Sequence, residues 1–311
     1  MHVSIIVPCY NEEQNIEAFY EETRTILNQL AMQCEIIFIN DGSKDGTQRQ
    51  LSRLHDKDDH CHYIQFSRNF GKEAAMLAGL SYATGAYSII MDADLQHPPE
   101  LIPKLIEKAE EGYDQVIAKR NRKGDNVSRT FFTNIYYKCI NAMTDVHFEN
   151  GIGDFRLLSR KAVNALLNLR EYNRFSKGLF SWIGFEAATI TYENVTRAEG
   201  DSKWSFRSLL NYGIDGIISF NNKPLRLAIY GGLLITLLDF IYIFVMFIQT
   251  MLHGIEVPGY FTTIAAVLFL GGVQLIAIGI IGEYIGRIYY EVKQRPPYLV
   301  AYSTKKKVDL K

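Results

Sequence analysis

The chain has 311 residues, with 33 Lys plus Arg against 34 Asp plus Glu and a formal net charge of −1. That length suits about two domains, and so even a charge balance gives no basic surface for nucleic acid. Its four cysteines, Cys9, Cys34, Cys61 and Cys139, lie far apart without a C-x-x-C pair, which argues against a zinc site or disulfide framework and fits a reducing compartment.

The N-terminus runs straight into an apolar β-branched stretch at 3–7, so no signal peptide is expected. A helical pattern follows at 13–30, then a strand at 35–39 and a helix at 47–57. A third strand at 63–66 precedes a helix at 73–83, and a fourth at 89–91 precedes a helix at 99–111. A fifth strand is expected at 115–118. This alternation predicts an α/β, Rossmann-like domain: a mostly parallel sheet with helices on both faces and ligands outside the carboxyl ends of its strands. The loops after Val7, Ile39, Phe66, Met91 and Ala118 should therefore meet at one crevice, and they hold the polar residues of this half of the chain. Each loop alone also reads as a solvated turn with a helix cap, Asp45 or Thr47 for example.

The fourth loop carries Asp92-Ala93-Asp94-Leu95-Gln96 directly after the run Tyr87-Ser88-Ile89-Ile90-Met91. Two carboxylates two residues apart at a strand end offer hard oxygen ligands, the kind that hold Mg²⁺ or Mn²⁺ jointly with substrate phosphates. Short acidic turns are common, so this spacing gains weight only from the charged loops around it.

Further along, residues 205–222 place Phe206, Leu209, Leu210, Ile214, Ile217 and Ile218 at amphipathic helical spacing. Such a helix either lies on a membrane surface or packs as an ordinary helix. Segments 227–252 and 261–281 are almost wholly apolar, each long enough for the roughly 20 residues that cross a bilayer core. Their junction, 253–260, has no Lys or Arg, whereas Lys223, Arg226, Arg287, Lys293, Arg295 and 305–307 flank the pair. The positive-inside rule then gives a multi-pass hairpin in the cell membrane with both ends cytoplasmic. Asp239 falls inside the first span, either as a functional group or paired with a partner such as Gln274. Gly271, Gly272, Gly279, Gly282 and Gly286 suit close helix approach, and a homo-oligomer is expected. The organisation expected is thus a catalytic domain at 1–204, a juxtamembrane helix at 205–224, two spans within 225–286 and a basic tail at 287–311.

Taken together, Val-Pro-Cys-Tyr-Asn-Glu-Glu, Asn-Asp-Gly-Ser-x-Asp-Gly-Thr, Arg-Asn-x-Gly-Lys, Asp-Ala-Asp-Leu-Gln-His-Pro-Pro-Glu and the terminal hairpin resemble family 2 glycosyltransferases of the polyprenyl-phosphate type. These include dolichyl-phosphate mannose synthases and bacterial undecaprenyl-phosphate glucosyltransferases, and the two-span hairpin is closer to the latter. The resemblance implies a nucleotide-sugar donor and a polyprenyl-phosphate acceptor. Position by position, it implies that Pro8, Tyr10 and Glu12 line the nucleoside pocket. Ile39 and Asp41 meet the base, and Asp92 and Ala93 belong to the donor site. Asp92, Asp94 and Gln96 hold the metal. Arg120 lies near the phosphates, Arg197 and Lys203 belong to a loop that closes over the donor, and Arg129 meets the acceptor phosphate. Asp154 falls near the acceptor, where it either orients it or takes a residual proton, or simply pairs with Arg156. Where many relatives carry a second Asp, this chain has Asn40.

The chemistry implied is inverting transfer. A metal on Asp94, helped by Arg120, Arg197 and Lys203, stabilises the leaving diphosphate. A phosphate monoester has a second pKa of about 6, so the acceptor needs no strong base. Two other classes stand beside this one. A processive polysaccharide synthase calls for more spans and a Gln-x-x-Arg-Trp element, neither of which is found. A membrane scaffold with a degenerate transferase domain sits badly with intact Asp92, Asp94, Gln96 and Lys203.

Overall fold

The computed structural model describes residues 2–30, 32–121, 141, 144, 152–193, 223–253 and 259–308. The expected alternation is present: β1 (His2–Cys9), α1 (Ile16–Asn28), β2 (Gln33–Asn40), α2 (Thr47–Lys57), β3 (Cys61–Phe66), α3 (Lys72–Tyr82) and β4 (Tyr87–Ile90). A short 3₁₀ turn (Pro99–Leu101) opens into α4 (Ile102–Glu110), followed by β5 (Gln115–Arg120) and β6 (Ile152–Ser159). Then come α5 (Arg160–Asn168), α6 (Ser176–Trp182), β7 (Ala187–Tyr192), α7 (Lys223–His253), α8 (Tyr260–Lys293) and β8 (Val300–Ser303).

The eight strands form one sheet in the order β7-β5-β6-β4-β1-β2-β3-β8. β1 is central and runs parallel to β2 and β4, and β2 runs parallel to β3. Side chains alternate between the two faces of β1. Val3, Ile5 and Val7 pack with Phe19 of α1 and Phe38 on one side, and Ile6 packs with Ile37, Ile39 and α3 on the other. Burial on both faces explains why these strands read as continuous apolar runs. α3 lies so close to the sheet that a Cβ on Gly79 would stand 2.2 Å from Ile6 Cγ2.

Two strands depart from the simple parallel reading. β5 is not the neighbour of β4: β6 inserts between them, antiparallel to both. Running against its neighbours, β6 starts where they end, and so delivers its first residues to the ligand-binding edge. The second departure is in the basic tail. Val300–Ser303 form β8, an antiparallel edge strand on β3, and Tyr298 stacks on Phe66 with centroids 5.0 Å apart.

α7 and α8 contain stretches, Ala228–Gln249 and Phe269–Lys293, long and apolar enough to cross a membrane, with 0% of either buried within the chain. Two core helices of a soluble domain would be covered; here Leu233, Phe240, Phe244 and Leu275 are exposed. Among the described residues nothing lies within 4 Å of a Cβ placed on Gly271, Gly272, Gly279, Gly282 or Gly286. The side chain of Asp239 and the whole segment 205–222 lie outside the described residues.

Candidate active site

The carboxyl ends of β1 to β4 carry interlocked loops. Asn11 donates its backbone N–H to Ser43 Oγ (3.0 Å) and accepts from the Lys44 N–H (2.9 Å), while Thr47 Oγ1 accepts from the Glu12 N–H (3.0 Å). Asn11 holds the left-handed φ of 55° that this turn requires. Pro8 pairs in register with Ile39, and Tyr10 and Glu12 follow, half-buried, at the rim. Ile39 itself is fully buried against α3, so its side chain supports the loop from beneath.

Asp41 ties the second loop to the third. Its carboxylate accepts the backbone N–H groups of Phe70 (2.6 Å) and Gly71 (2.9 Å). Burial pushes its carboxyl up, and those two bonds pull in the opposite direction. The loops touch so closely that a Cβ on Gly42, whose φ is +66°, would stand 2.4 Å from the Arg68 carbonyl carbon. Asn40 is buried and used internally: its amide donates to Gln48 Oε1 (2.9 Å) and its oxygen accepts from the Ser43 N–H (3.0 Å).

At the end of β4, Ala93 is buried, while Asp92, Asp94 and Gln96 are half-buried. Leu95 between them has a φ of 56°, a strained value for leucine that costs of order 1–3 kcal/mol and is typical of binding sites. Asp94 Oδ1 accepts the Gln96 N–H at 3.2 Å, closing the turn. The Asp92 N–H donates to His97 Nδ1 (2.9 Å), which leaves the imidazole proton on Nε2, 3.8 Å from Asp92 Oδ2. His97 stacks on Phe155 of β6 with centroids 4.8 Å apart, and burial lowers its pKa.

β6 pairs Arg156 with Ile90, which sets Asp154 beside Asp92. Between them stands Lys72, the first residue of α3. Its ammonium contacts Asp92 Oδ1 at 2.6 Å and Asp154 Oδ2 at 2.7 Å. Burial by itself would raise Asp154; the charge of Lys72, with Lys177 and Arg156 behind it, overrides this and holds the carboxyl well below the usual range. Arg156 is drawn into the interior, its Nη2 donating to the Gly153 carbonyl (2.9 Å) and its guanidinium lying 3.8 Å from the Phe180 ring centre. Asp154 and Arg156 therefore lie close in charge, and Lys72 is in direct ionic contact with Asp154. Next to Lys72, Glu73 is pushed up to about 7, chiefly by burial, and accepts from both the backbone N–H and the hydroxyl of Ser176. Arg120 ends β5 at the same edge, paired in register with Tyr192.

Pro8, Tyr10, Glu12, Asp41, Asp92, Ala93, Asp94, Gln96, Arg120 and Asp154 thus come to one edge of the sheet. Arg129, Arg197 and Lys203 lie outside the described residues. Lys72 and His97 fall within the motifs that carried the resemblance but were given no role there, and Glu73 was not singled out. Among the described residues no group of three or more His, Cys, Asp or Glu side chains forms a cage for a metal. Carboxylate and amide oxygens beside a bound ammonium do fit a cation shared with phosphate oxygens, which needs only one or two carboxylates.

Residues 4–167 match the model described as glycosyl transferase family 2, and residues 223–288 match the one described as GtrB C-terminal hairpin. The chain belongs to glycosyl transferase family 2. CsbB of Bacillus subtilis (strain 168) is 57% identical over 298 residues, covering 96% of this chain and 91% of that protein. An SfII prophage-derived bactoprenol glucosyl transferase of Shigella flexneri is 43% identical, covering 96% of this chain and 97% of that protein. Among solved structures, glucosyl-3-phosphoglycerate synthase from Mycobacterium tuberculosis, in complex with Mn²⁺, UDP-glucose and phosphoglyceric acid, is similar with a TM-score of 0.48. Its identity is 18%, over 70% of this chain and 77% of that one. This family 2 member is a glycosyltransferase with an α/β domain built on a mostly parallel sheet.

Proposed function

We propose that the enzyme moves a sugar from a nucleotide sugar, UDP-glucose or UDP-N-acetylglucosamine, to a polyprenyl phosphate, inverting the anomeric carbon and giving a lipid-linked monosaccharide. The observation that carries this reading is the union, in one chain, of a family 2 catalytic edge with a hairpin of two uncovered apolar helices. Relatives that match over 96% of this chain and nearly their whole length are named bactoprenol glucosyl transferases. The placement of β8 supports a hairpin whose two ends share one side. The chain leaving α8 rejoins the sheet that began with β1, and the basic flanks support a cytoplasmic location for that side.

In this reading the donor diphosphate lies over the end of β4, with Arg120, Arg197 and Lys203 contributing positive charge to the leaving group. Asp94, with Asp92 and Gln96, would hold Mg²⁺ or Mn²⁺, which supplies Lewis-acid stabilisation of the departing diphosphate when bound. Lys72 keeps Asp92 and Asp154 together against their mutual repulsion. Asp154, ionised throughout the neutral range, is a weak base and suits orientation of the incoming group. The acceptor monoester, with a second pKa of about 6, attacks as an anion already formed. Anchoring the site to the bilayer raises the effective concentration of a lipid acceptor.

The test is one incubation of the full-length protein in membrane vesicles with undecaprenyl phosphate and radiolabelled UDP-glucose or UDP-N-acetylglucosamine, followed by solvent extraction. Label in a mild-acid-labile lipid supports the proposal and names the sugar. Label that remains in water, or that enters a long polymer, overturns it.

A further inference from the structure

The membrane end of α8 is linked to the catalytic carboxylates through a short strut. The last turns of α8 carry Tyr289, Tyr290, Glu291 and Lys293, and tyrosines with a basic residue at the end of an apolar span sit at headgroup level. Residues 169–176, between α5 and α6, lie against this end. The Tyr172 ring stacks on Tyr290, with centroids 5.3 Å and planes 6° apart. The Tyr172 backbone N–H donates to Glu291 Oε1 at 2.8 Å. Four residues on, Ser176 holds the Glu73 carboxylate through its N–H (3.0 Å) and its hydroxyl. Glu73 adjoins Lys72, which grips Asp92 and Asp154. Within the strut, Arg174 donates to the carbonyls of Leu166 and Leu169, fastening it to the end of α5.

An extended chain covers at most about 3.6 Å per residue, so Tyr172 and Ser176 are no more than about 14 Å apart. A lipid acceptor drawn upward to the site exposes methylene groups to water, each at a cost. The height of the carboxylate cluster above the bilayer therefore sets how readily a lipid-borne phosphate reaches it. We propose that residues 169–176 fix that height, and that Tyr172 is a positioning residue for a membrane-embedded acceptor. The inference rests on the polyprenyl-phosphate reading and adds a residue and a mechanical role to it.

The experiment uses the full-length enzyme in phosphatidylethanolamine–phosphatidylglycerol vesicles, with an equimolar mixture of UDP-glucose and UDP-N-acetylglucosamine as donor. Two acceptors are compared: undecaprenyl phosphate in the bilayer, and geranyl phosphate, short enough to arrive from water. Tyr172→Ala should raise KM for undecaprenyl phosphate by up to about tenfold, the scale of an aromatic pair. Its kcat/KM for geranyl phosphate and its KM for donor should stay within about twofold of wild type, inside the spread of an uncoupled substitution. Tyr172→Phe keeps the stacked ring and should restore the bilayer KM. Should Tyr172→Ala fail to fold, Glu291→Ala, which removes only the acceptor of the Tyr172 N–H, should show the same split at smaller size. Equal losses with both acceptors, or no loss with either, overturn the positioning role while leaving the acceptor reading intact. A wild-type enzyme that charges neither acceptor overturns the acceptor reading, and the positioning role with it.

Discussion

The sheet has a lysine–carboxylate site at each end, and the two are built for opposite purposes. At the amino end of β2, Glu35 is 3% exposed and surrounded: Ser4 Oγ (2.6 Å), the Thr84 N–H (3.1 Å) and Thr84 Oγ1 (2.8 Å) all donate to it, and Lys305 from the tail closes the set. His2 and His62 flank it at 3.6 and 3.8 Å. At the carboxyl end, Lys72 binds Asp92 and Asp154, with 42% of the lysine side chain and 30% and 14% of the two carboxylate side chains exposed. A buried charge whose lone pairs are all engaged rigidifies a fold, and removing a partner is costly. A half-open pair can exchange one partner for a ligand. The same chemistry is a closed clasp at one end and a half-open pair at the other because of the company each pair keeps.

The sharpest way to break this contrast is Asp94→Asn. It should lower turnover by roughly a hundredfold or more, the scale of losing a major electrostatic stabiliser, with no change in the melting temperature. EDTA should do the same to the wild type. Undiminished transfer in either case would refute a metal-dependent open edge. At the closed end, Glu35→Ala should cost about 3–5 kcal/mol of stability, since it strands Lys305. Urea unfolding in detergent micelles reads this directly, while donor affinity at low denaturant should be unaltered. An unchanged midpoint would mean that Glu35 is no clasp.

A smaller effect is expected at Asp154. Asp154→Asn should lose about tenfold in rate, as for a charged hydrogen bond, without moving the acid limb of the pH–rate profile. That limb then belongs to the acceptor phosphate. If the limb disappears in the variant, Asp154 is the base and the orienting role is wrong.

The smallest effects are pH-dependent and opposite in sign. Burial alone would raise Glu35, but bonds from Lys305, Ser4 and Thr84 outweigh it and hold the carboxyl at about 2, below its ordinary 4.5. The stability it supplies is present above 4.5 and is lost as the pH falls towards 2. Glu73 is raised by burial from 4.5 to about 7, so its contribution is complete below 4.5 and is lost as the pH rises through 7. Glu73→Gln should flatten the melting temperature between about pH 5 and 8, and Glu35→Gln should do so only in acid. Parallel pH curves for wild type and Glu73→Gln would remove Glu73 from the account.

What the sequence disclosed follows from range. The first five strands and the helices between them announce themselves through local hydrophobic period, and Asp92, Asp94 and Gln96 through position at a strand end. β6 has no comparable signal for direction, since its antiparallel course between β4 and β5 is set by partners far along the chain. β8 is shorter still, and its Val300 and Tyr302 remain exposed, so nothing in their pattern separates strand from tail. Lys72 reads locally as an ordinary solvated residue at a helix start. Only the sheet order that sets Asp154 beside Asp92 reveals its partners.

β8 also orders the making of the molecule in time. β3 ends at Phe66 and its outer partner begins at Val300, so at about 5–20 residues per second of synthesis the edge of β3 waits on the order of tens of seconds. Open edges invite wrong partners. Both apolar helices are made before the last strand emerges, so β3 gains its outer partner only after the whole of α7 and α8 has left the ribosome.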